Sequence, residues 1–111
     1  MKVQEIQDCI AGEAKAPGDP AAEIQNAYTS DLLSDVMGNA PANSVLITVQ
    51  GHKNTVAVAN LVGMPAIILC NGRGVPQDMQ ESAEQEGIAL YTTKFDQFTA
   101  SYKIAQALGK V

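Results

Sequence analysis

The five residues Ala66-Ile67-Ile68-Leu69-Cys70 form an unbroken apolar run between Pro65 and Asn71-Gly72. A strand with one wet face alternates apolar and polar side chains, whereas a strand covered on both faces reads as a short continuous apolar run. The run therefore predicts a central parallel strand. Parallel neighbours need a crossover between one strand and the next, usually a helix, and the flanking sequence supplies such segments. Val45 to Gln50 is rich in β-branched residues, with Val45, Ile47 and Val49 facing one way. Asn54 to Leu61 reads as a helix capped by His52 to Asn54 and ended by Gly63. Pro76 to Glu86 reads as another, with proline in the first turn, Asp78 near the positive end and Gly87 just past the last turn. Ile88 to Thr92 is the next strand, and Phe95, Phe98, Tyr102, Ala105 and Leu108 fall on one stripe of a terminal helix. The order β-α-β-α-β-α from Val45 onward argues a right-handed, mostly parallel α/β sheet flanked by helices.

The N-terminal part is less regular. Val3, Ile6 and Ile10 recur at helical spacing up to Gly12, and Lys15-Ala16-Pro17-Gly18-Asp19-Pro20 reads as a turn-rich loop. Ala22 to Thr29 reads as a strand. Ser30 or Asp31 then caps a short helix through Met37, because a short oxygen-bearing side chain accepts an orphan N–H there. With 111 residues and no internal repeat or composition break, a single domain over 1–111 is expected.

Composition narrows the function classes. The net charge of −5 and the seven scattered Lys and Arg give no basic footprint, so nucleic acid is not an expected partner. Cys9 and Cys70 stand far apart with no CxxC and no Cys/His cluster, so no metal site and no cofactor is expected, and both read as small buried hydrophobes. The first residues lack a signal-peptide apolar core. The most apolar stretch, Val56 to Cys70, is short and broken by Asn60, Gly63 and Pro65, so no membrane span is expected. A cytoplasmic protein follows as the expectation.

In parallel α/β sheets, ligands bind beyond the carboxyl ends of the strands. That rule collects Thr48, Gln50, Gly51, His52, Asn54 and Thr55 after the first of the three parallel strands, and Asn71, Gly72, Arg73 and Gly74 after the second. Thr92, Thr93 and Lys94 follow the third, with Asp31, Ser34 and Asp35 facing them from the short helix. Of these, Asp31, Ser34, Asp35, Thr48, Gln50, His52, Asn54, Thr55, Asn71, Arg73 and Thr92 are the expected ligand-binding residues, with Arg73 and Lys53 as a cation pair. Each has a plainer alternative. Asp31 serves equally as a helix cap, His52 as a capping residue, Asn71 to Gly74 as a loop needing glycine geometry, and Thr92-Thr93 as the cap of the last helix. No GxxxxGK[ST] or GxSxG segment exists, so no catalytic residue is assigned.

The segments Ser30-Asp31-Leu32-Leu33-Ser34-Asp35-Val36-Met37-Gly38-Asn39-Ala40 and Thr48-Val49-Gln50-Gly51-His52-Lys53-Asn54-Thr55-Val56-Ala57-Val58-Ala59 resemble the DRTGG domain family in its stand-alone form. Similar domains form the N-terminal part of HPr kinase/phosphorylase and occur beside CBS domains. The resemblance covers Met1 to Leu108. It implies an α/β fold like that kinase's N-terminal domain and a regulatory role through ligand binding or assembly. The Asp-Arg-Thr-Gly-Gly segment that names the family has no counterpart, since Gln25-Asn26-Ala27 stand before Tyr28. The kinase's P-loop domain has none either.

Three functional expectations follow. The first is a non-catalytic regulatory module that binds a small polar or anionic metabolite at the C-terminal strand edge. The second is a homo-oligomeric interaction module, a dimer, docking on a larger metabolic enzyme; some stand-alone members of the family are associated with hydrogenase proteins. Its candidate interface is the helix Thr55 to Leu61 with Met37 and Met64. The third is an enzyme with His52 as general base, oriented by Asp31 or Asp35, which requires hydrogen-bond contact between them.

Overall fold

The computed structural model describes all residues from Met1 to Val111. The apolar run is the middle of a five-stranded sheet with strand order β1-β5-β4-β3-β2. The strands are β1 (Glu13–Ala16), β2 (Asn26–Thr29), β3 (Ser44–Thr48), β4 (Ala66–Leu69) and β5 (Ala89–Thr92). β2 through β5 are mutually parallel, and β1 pairs antiparallel with β5. Every residue of β3 and β4 is buried, as strands covered on both faces must be.

The helices are α1 (Ile6–Cys9, entered by a 3₁₀ turn at Val3–Glu5), α2 (Leu33–Asn39), α3 (Lys53–Val62), α4 (Gln77–Glu86) and α5 (Gln97–Ala107). Alternation along the strands sends side chains to two separate cores. One holds Val45, Ile47, Ala66, Ile68, Ala89 and Tyr91 beneath Val3, Ile6, Ile10 of the N-terminal segment and Ala100, Ile104 of α5. The other holds Leu46, Ile67 and Leu90 beneath Val36 of α2, Val56 and Ala59 of α3, and Met79 and Ala83 of α4. α2, α3 and α4 thus cover one face, and α1 and α5 the other. Gly63 and Gly87 end α3 and α4 in the left-handed conformation, at φ 86° and 67°.

The fold differs from the sequence reading in several places. β1, an edge strand with a bulge between Ala14 and Ala16, is not among the expected elements, and its last two residues, Lys15 and Ala16, fall in the segment read as a loop. The second strand is shorter than Ala22 to Thr29. Neither Ser30 nor Asp31 caps α2: Leu32 holds that position, with no side-chain cap. α5 is capped by Asp96, whose carboxylate accepts the Thr99 N–H at 2.8 Å, and not by Thr92 or Thr93. The stripe read along α5 is also displaced. Ala100 and Ile104 face the core, Phe95 and Leu108 pack at its margin, and Phe98 is 80% exposed. Large aromatic residues dominate a stripe read from sequence, yet the narrow apolar face of α5 is carried by alanine and isoleucine. No helix is long and apolar enough to cross a membrane.

Candidate functional site

The four parallel strands end on one rim, and the polar residues after them fall into two groups. The first group forms around Asp31, in the β2–α2 loop. Asp31 Oδ1 accepts hydrogen bonds from the Thr48 hydroxyl, the Val49 N–H and the Gln97 amide, each at 2.9 Å. Its carbonyl accepts from the Gln50 amide at 3.0 Å. The Thr48 hydroxyl in turn accepts the Gln50 N–H at 3.1 Å, and the buried Thr55 hydroxyl donates to the Gln50 carbonyl at 2.8 Å. This network ties the ends of β2 and β3 to the start of α3 and to α5. Burial, with the charges of Asp31 and Asp96 added, pushes the Cys70 thiol up to about 11.

His52 occupies the N-cap of α3, where Nδ1 accepts the Asn54 N–H at 3.1 Å. That nitrogen carries no proton in this arrangement. The partners of Asp31 Oδ1 are Thr48, Val49 and Gln97. The Asp35 carboxylate accepts from the Tyr28 hydroxyl and the Asn39 amide, both at 2.9 Å, with the Ser30 hydroxyl also against it. Neither carboxylate is hydrogen-bonded to the imidazole, so the base-and-orienter arrangement required by the enzymatic reading is not formed. Asp35 and Ser34 sit on α2, outside the Asp31 network. Hydrogen bonds from Ser30, Tyr28 and Asn39 hold the Asp35 carboxyl below its ordinary range, and the same contact raises the Tyr28 phenol.

The second group surrounds a cavity of about 410 Å³ at the ends of β4 and β5, lined by Gly72, Arg73, Thr92, Thr93 and Lys94 together with Ala11, Gly12 and Glu13. Asn71 and Gly72, at φ 65° and 64°, form a tight turn closed by a hydrogen bond from the Arg73 N–H to the Cys70 carbonyl at 3.4 Å. Two positive φ angles in succession are what Asn-Gly supplies with least strain. The turn is stitched to the next loop by bonds from the Asn71 N–H to the Phe95 carbonyl and from the Gly72 N–H to the Thr93 carbonyl, both 2.9 Å. Its N–H groups are therefore engaged within the protein, and the exposed Arg73 side chain projects from a fixed base. The Thr93 hydroxyl is also engaged: it donates to the Ile10 carbonyl at 2.8 Å and accepts the Phe95 N–H at 3.2 Å.

A second cavity, of about 370 Å³, lies at the opposite end of the sheet, where Asn43, Pro65 and Ile88 precede β3, β4 and β5. It carries the carboxylates Glu23 and Glu86 and no cation. Glu86 accepts from the Asn60 amide at 3.0 Å, and Glu23 lies 3.6 Å from the terminal ammonium.

Of the residues expected from the sequence, the structure joins Asp31, Thr48, Gln50 and Thr55 in one network, with His52 and Asn54 beside them at the start of α3. It brings Arg73 and Thr92 into a separate cavity next to Asn71. Two strand spacings, about 10 Å, separate the ends of β3 and β5. Lys53 begins α3 and is no partner of Arg73; Lys94 takes that place. Sequence reasoning missed Gln97 and the segment Ala11-Gly12-Glu13. The latter leads into the antiparallel edge strand, whose charged alternating residues carry little strand signal.

No family model matches the chain, and no curated protein matches it. Among solved structures, the CBS and DRTGG domains of the regulatory region of Clostridium perfringens pyrophosphatase, complexed with the activator diadenosine tetraphosphate, superpose with a TM-score of 0.77 at 19% identity. The match covers 96% of this chain and 47% of that one, so the chain spans less than half of the structure it resembles. The likeness shows a DRTGG-like fold.

Proposed function

We infer that residues 1–111 form one domain of the DRTGG type, related in architecture to the N-terminal domain of HPr kinase/phosphorylase, that acts as a regulatory module. It senses a small polar or anionic ligand at the C-terminal rim of its sheet, has no catalytic role, and works in the cytoplasm. The observation that carries this reading is the cavity holding Arg73 and Lys94 at the strand ends of a chain whose overall charge is −5. Two unpaired cations gathered on one rim of an acidic protein favour an anion there and not elsewhere. The regulatory region with a similar fold, seen with a dinucleotide activator, supports the sensing role.

A thermal-shift screen of nucleotides, diadenosine tetraphosphate, sugar phosphates and carboxylates tests the reading. A true ligand at 100 times its dissociation constant adds about 2.7 kcal/mol, which raises Tm by several degrees in a domain of this size. A flat response across the whole panel contradicts it.

A second reading, a homo-oligomer that docks on a larger enzyme, has its own observation. Leu32, Met37 and Leu61 are exposed on the α2–α3 side, and Phe98 and Tyr102 one turn apart on α5. The expected interface itself needs correction. Thr55, Val56, Val58 and Ala59 of α3 face the core and Met64 is 1% exposed, leaving Leu61 and Met37. A dimer in light scattering at high concentration supports this reading, and a strict monomer removes it.

A further inference from the structure

Chain topology singles out one gap on the rim. The loops leaving β2, β3 and β4 lead to α2, α3 and α4 on one face of the sheet, while the loop leaving β5 leads to α5 on the other. Adjacent strands whose connections depart in opposite directions leave a crevice between the loops, and that switch point is where open α/β sheets bind ligands. Here it falls between β4 and β5, where the bonds from Asn71 to Phe95 and from Gly72 to Thr93 bridge part of the gap and the cavity takes up the rest. Gly72, Arg73, Thr92 and Lys94, which line the 410 Å³ cavity, stand at that crevice. Topology and cavity geometry are independent observations, and they coincide.

The chemistry of the lining then selects the ligand. Arg73 is the only arginine of the chain. Neither it nor Lys94 comes within ion-pair distance of a carboxylate; Glu13, the one carboxylate in the cavity, pairs with Lys15 at 2.9 Å and, more weakly, feels the charge of Lys94. Thr92 is half-buried, lines the same cavity as the two cations, and its hydroxyl makes no hydrogen bond within the protein, which leaves it free to donate. By contrast, the groups around Asp31 already satisfy one another. Only one of the eight lining residues, Ala11, is apolar. Ligand pockets for drug-sized molecules are mostly apolar and aromatic, and no aromatic wall exists here on which a base could stack. The site suits a compact, multiply charged anion. Among anions, phosphoryl groups match an arginine fork, a lysine point charge and a hydroxyl donor together.

The geometry points to Arg73, Lys94 and Thr92 as a seat for a phosphoryl chain, which recognises the di- or triphosphate part of a ligand and is indifferent to the base or sugar attached to it. This inference rests on the ligand-sensing reading and specifies its site and ligand class.

Isothermal titration calorimetry of the full chain with inorganic pyrophosphate and tripolyphosphate tests it, with citrate as a carboxylate of comparable charge and adenosine as a base without phosphate. The expected result is binding of both polyphosphates, weakened by added salt, with no binding of adenosine and at least tenfold weaker binding of citrate. Arg73→Gln and Lys94→Gln each lower polyphosphate affinity by about tenfold. Both side chains are exposed, so Tm in the absence of ligand stays unchanged; this checks that the variants fold. Polyphosphate affinity equal in the variants and the parent, citrate as tight as tripolyphosphate, or binding that follows adenosine would each overturn the phosphoryl seat. These outcomes leave the sensing role standing wherever some compound of the thermal-shift panel still binds. Failure of that entire panel removes both.

Discussion

At the scale of single residues, Asp31 holds the rim together. One carboxylate oxygen receives three hydrogen bonds, two from the end of β3 and one from α5, and its carbonyl receives a fourth. Asp31→Ala leaves the Val49 N–H, the Thr48 hydroxyl and the Gln97 amide without their acceptor. Its expected cost is about 2–4 kcal/mol in urea unfolding, while Asp31→Asn, which keeps an acceptor oxygen, costs less. This role is half-visible in the sequence. A cap and a ligand contact are both acceptor roles, and an acceptor is what Asp31 is; its partners stay hidden because they come from β3, the residue after it and α5. Of the two cysteines read as buried, only Cys70 is fully so. Cys70 is fully buried with its thiol pushed up to about 11, and Cys9 is half-buried with burial raising its thiol. Native protein should therefore react slowly with a thiol reagent at Cys9 and not at all at Cys70, and both should react once unfolded. Rapid labelling of Cys70 in the native state would be incompatible with the packing. Asp35 gives a pH signature. Its folded carboxyl lies below the unfolded value of about 3.9, so its contribution is present above that pH and is lost as pH falls through the folded value. Asp35→Asn should flatten the acid limb of the stability profile, read by thermal melts between pH 2 and pH 6 (roughly the span in which carboxylates titrate).

At the scale of elements, the difference between what is legible and what is not follows burial. β3, β4, β5, α3 and α4 lie in or against the middle of the sheet, where apolar continuity and terminal glycines mark them. β1 has exposed Glu13 and Ala14 and ends at a proline, so nothing in Glu13-Ala14-Lys15-Ala16 announces a strand. What holds it is close backbone approach. A Cβ on Gly12 would stand 2.4 Å from the Thr92 carbonyl oxygen, and one on Gly18, at φ 55°, 2.4 Å from the Ala89 N. Gly12→Ala and Gly18→Ala should therefore each destabilise the protein by about 2 kcal/mol or more. Gly38 offers the contrast. It lies within α2, where an added methyl would meet nothing inside 4 Å and φ is ordinary. Gly38→Ala should stabilise by about 0.5–1 kcal/mol. Chemical denaturation of the three variants checks all of these signs, and a stabilised Gly12→Ala would mean that β1 does not lie against β5 as described.

At the scale of the whole molecule, the sheet keeps its strands in sequential order from β2 to β5, so three crossovers stack on one face and only the last connection departs to the other. The parallel direction of the strands is readable from the apolar runs. The change of side after β5 is not, because it depends on which face α5 covers, and that face is marked only by Ala100 and Ile104. The rim residues can thus be named from sequence as neighbours of strand ends, yet their division into a closed network at β3 and an open cationic seat at β4–β5 emerges only in three dimensions. The opposite end of the sheet carries Glu23 and Glu86 in its own cavity and should repel the anion that the first end attracts. Heteronuclear NMR of the chain titrated with ATP separates the two ends in one experiment. Amide shifts should concentrate at Gly12, Glu13, Gly72, Arg73 and Thr92 to Lys94, and saturate with ligand. Shifts confined to Glu23, Asn43, Asn60 and Glu86, or a spectrum unmoved by any phosphate-bearing compound, would rule out an anion seat between β4 and β5.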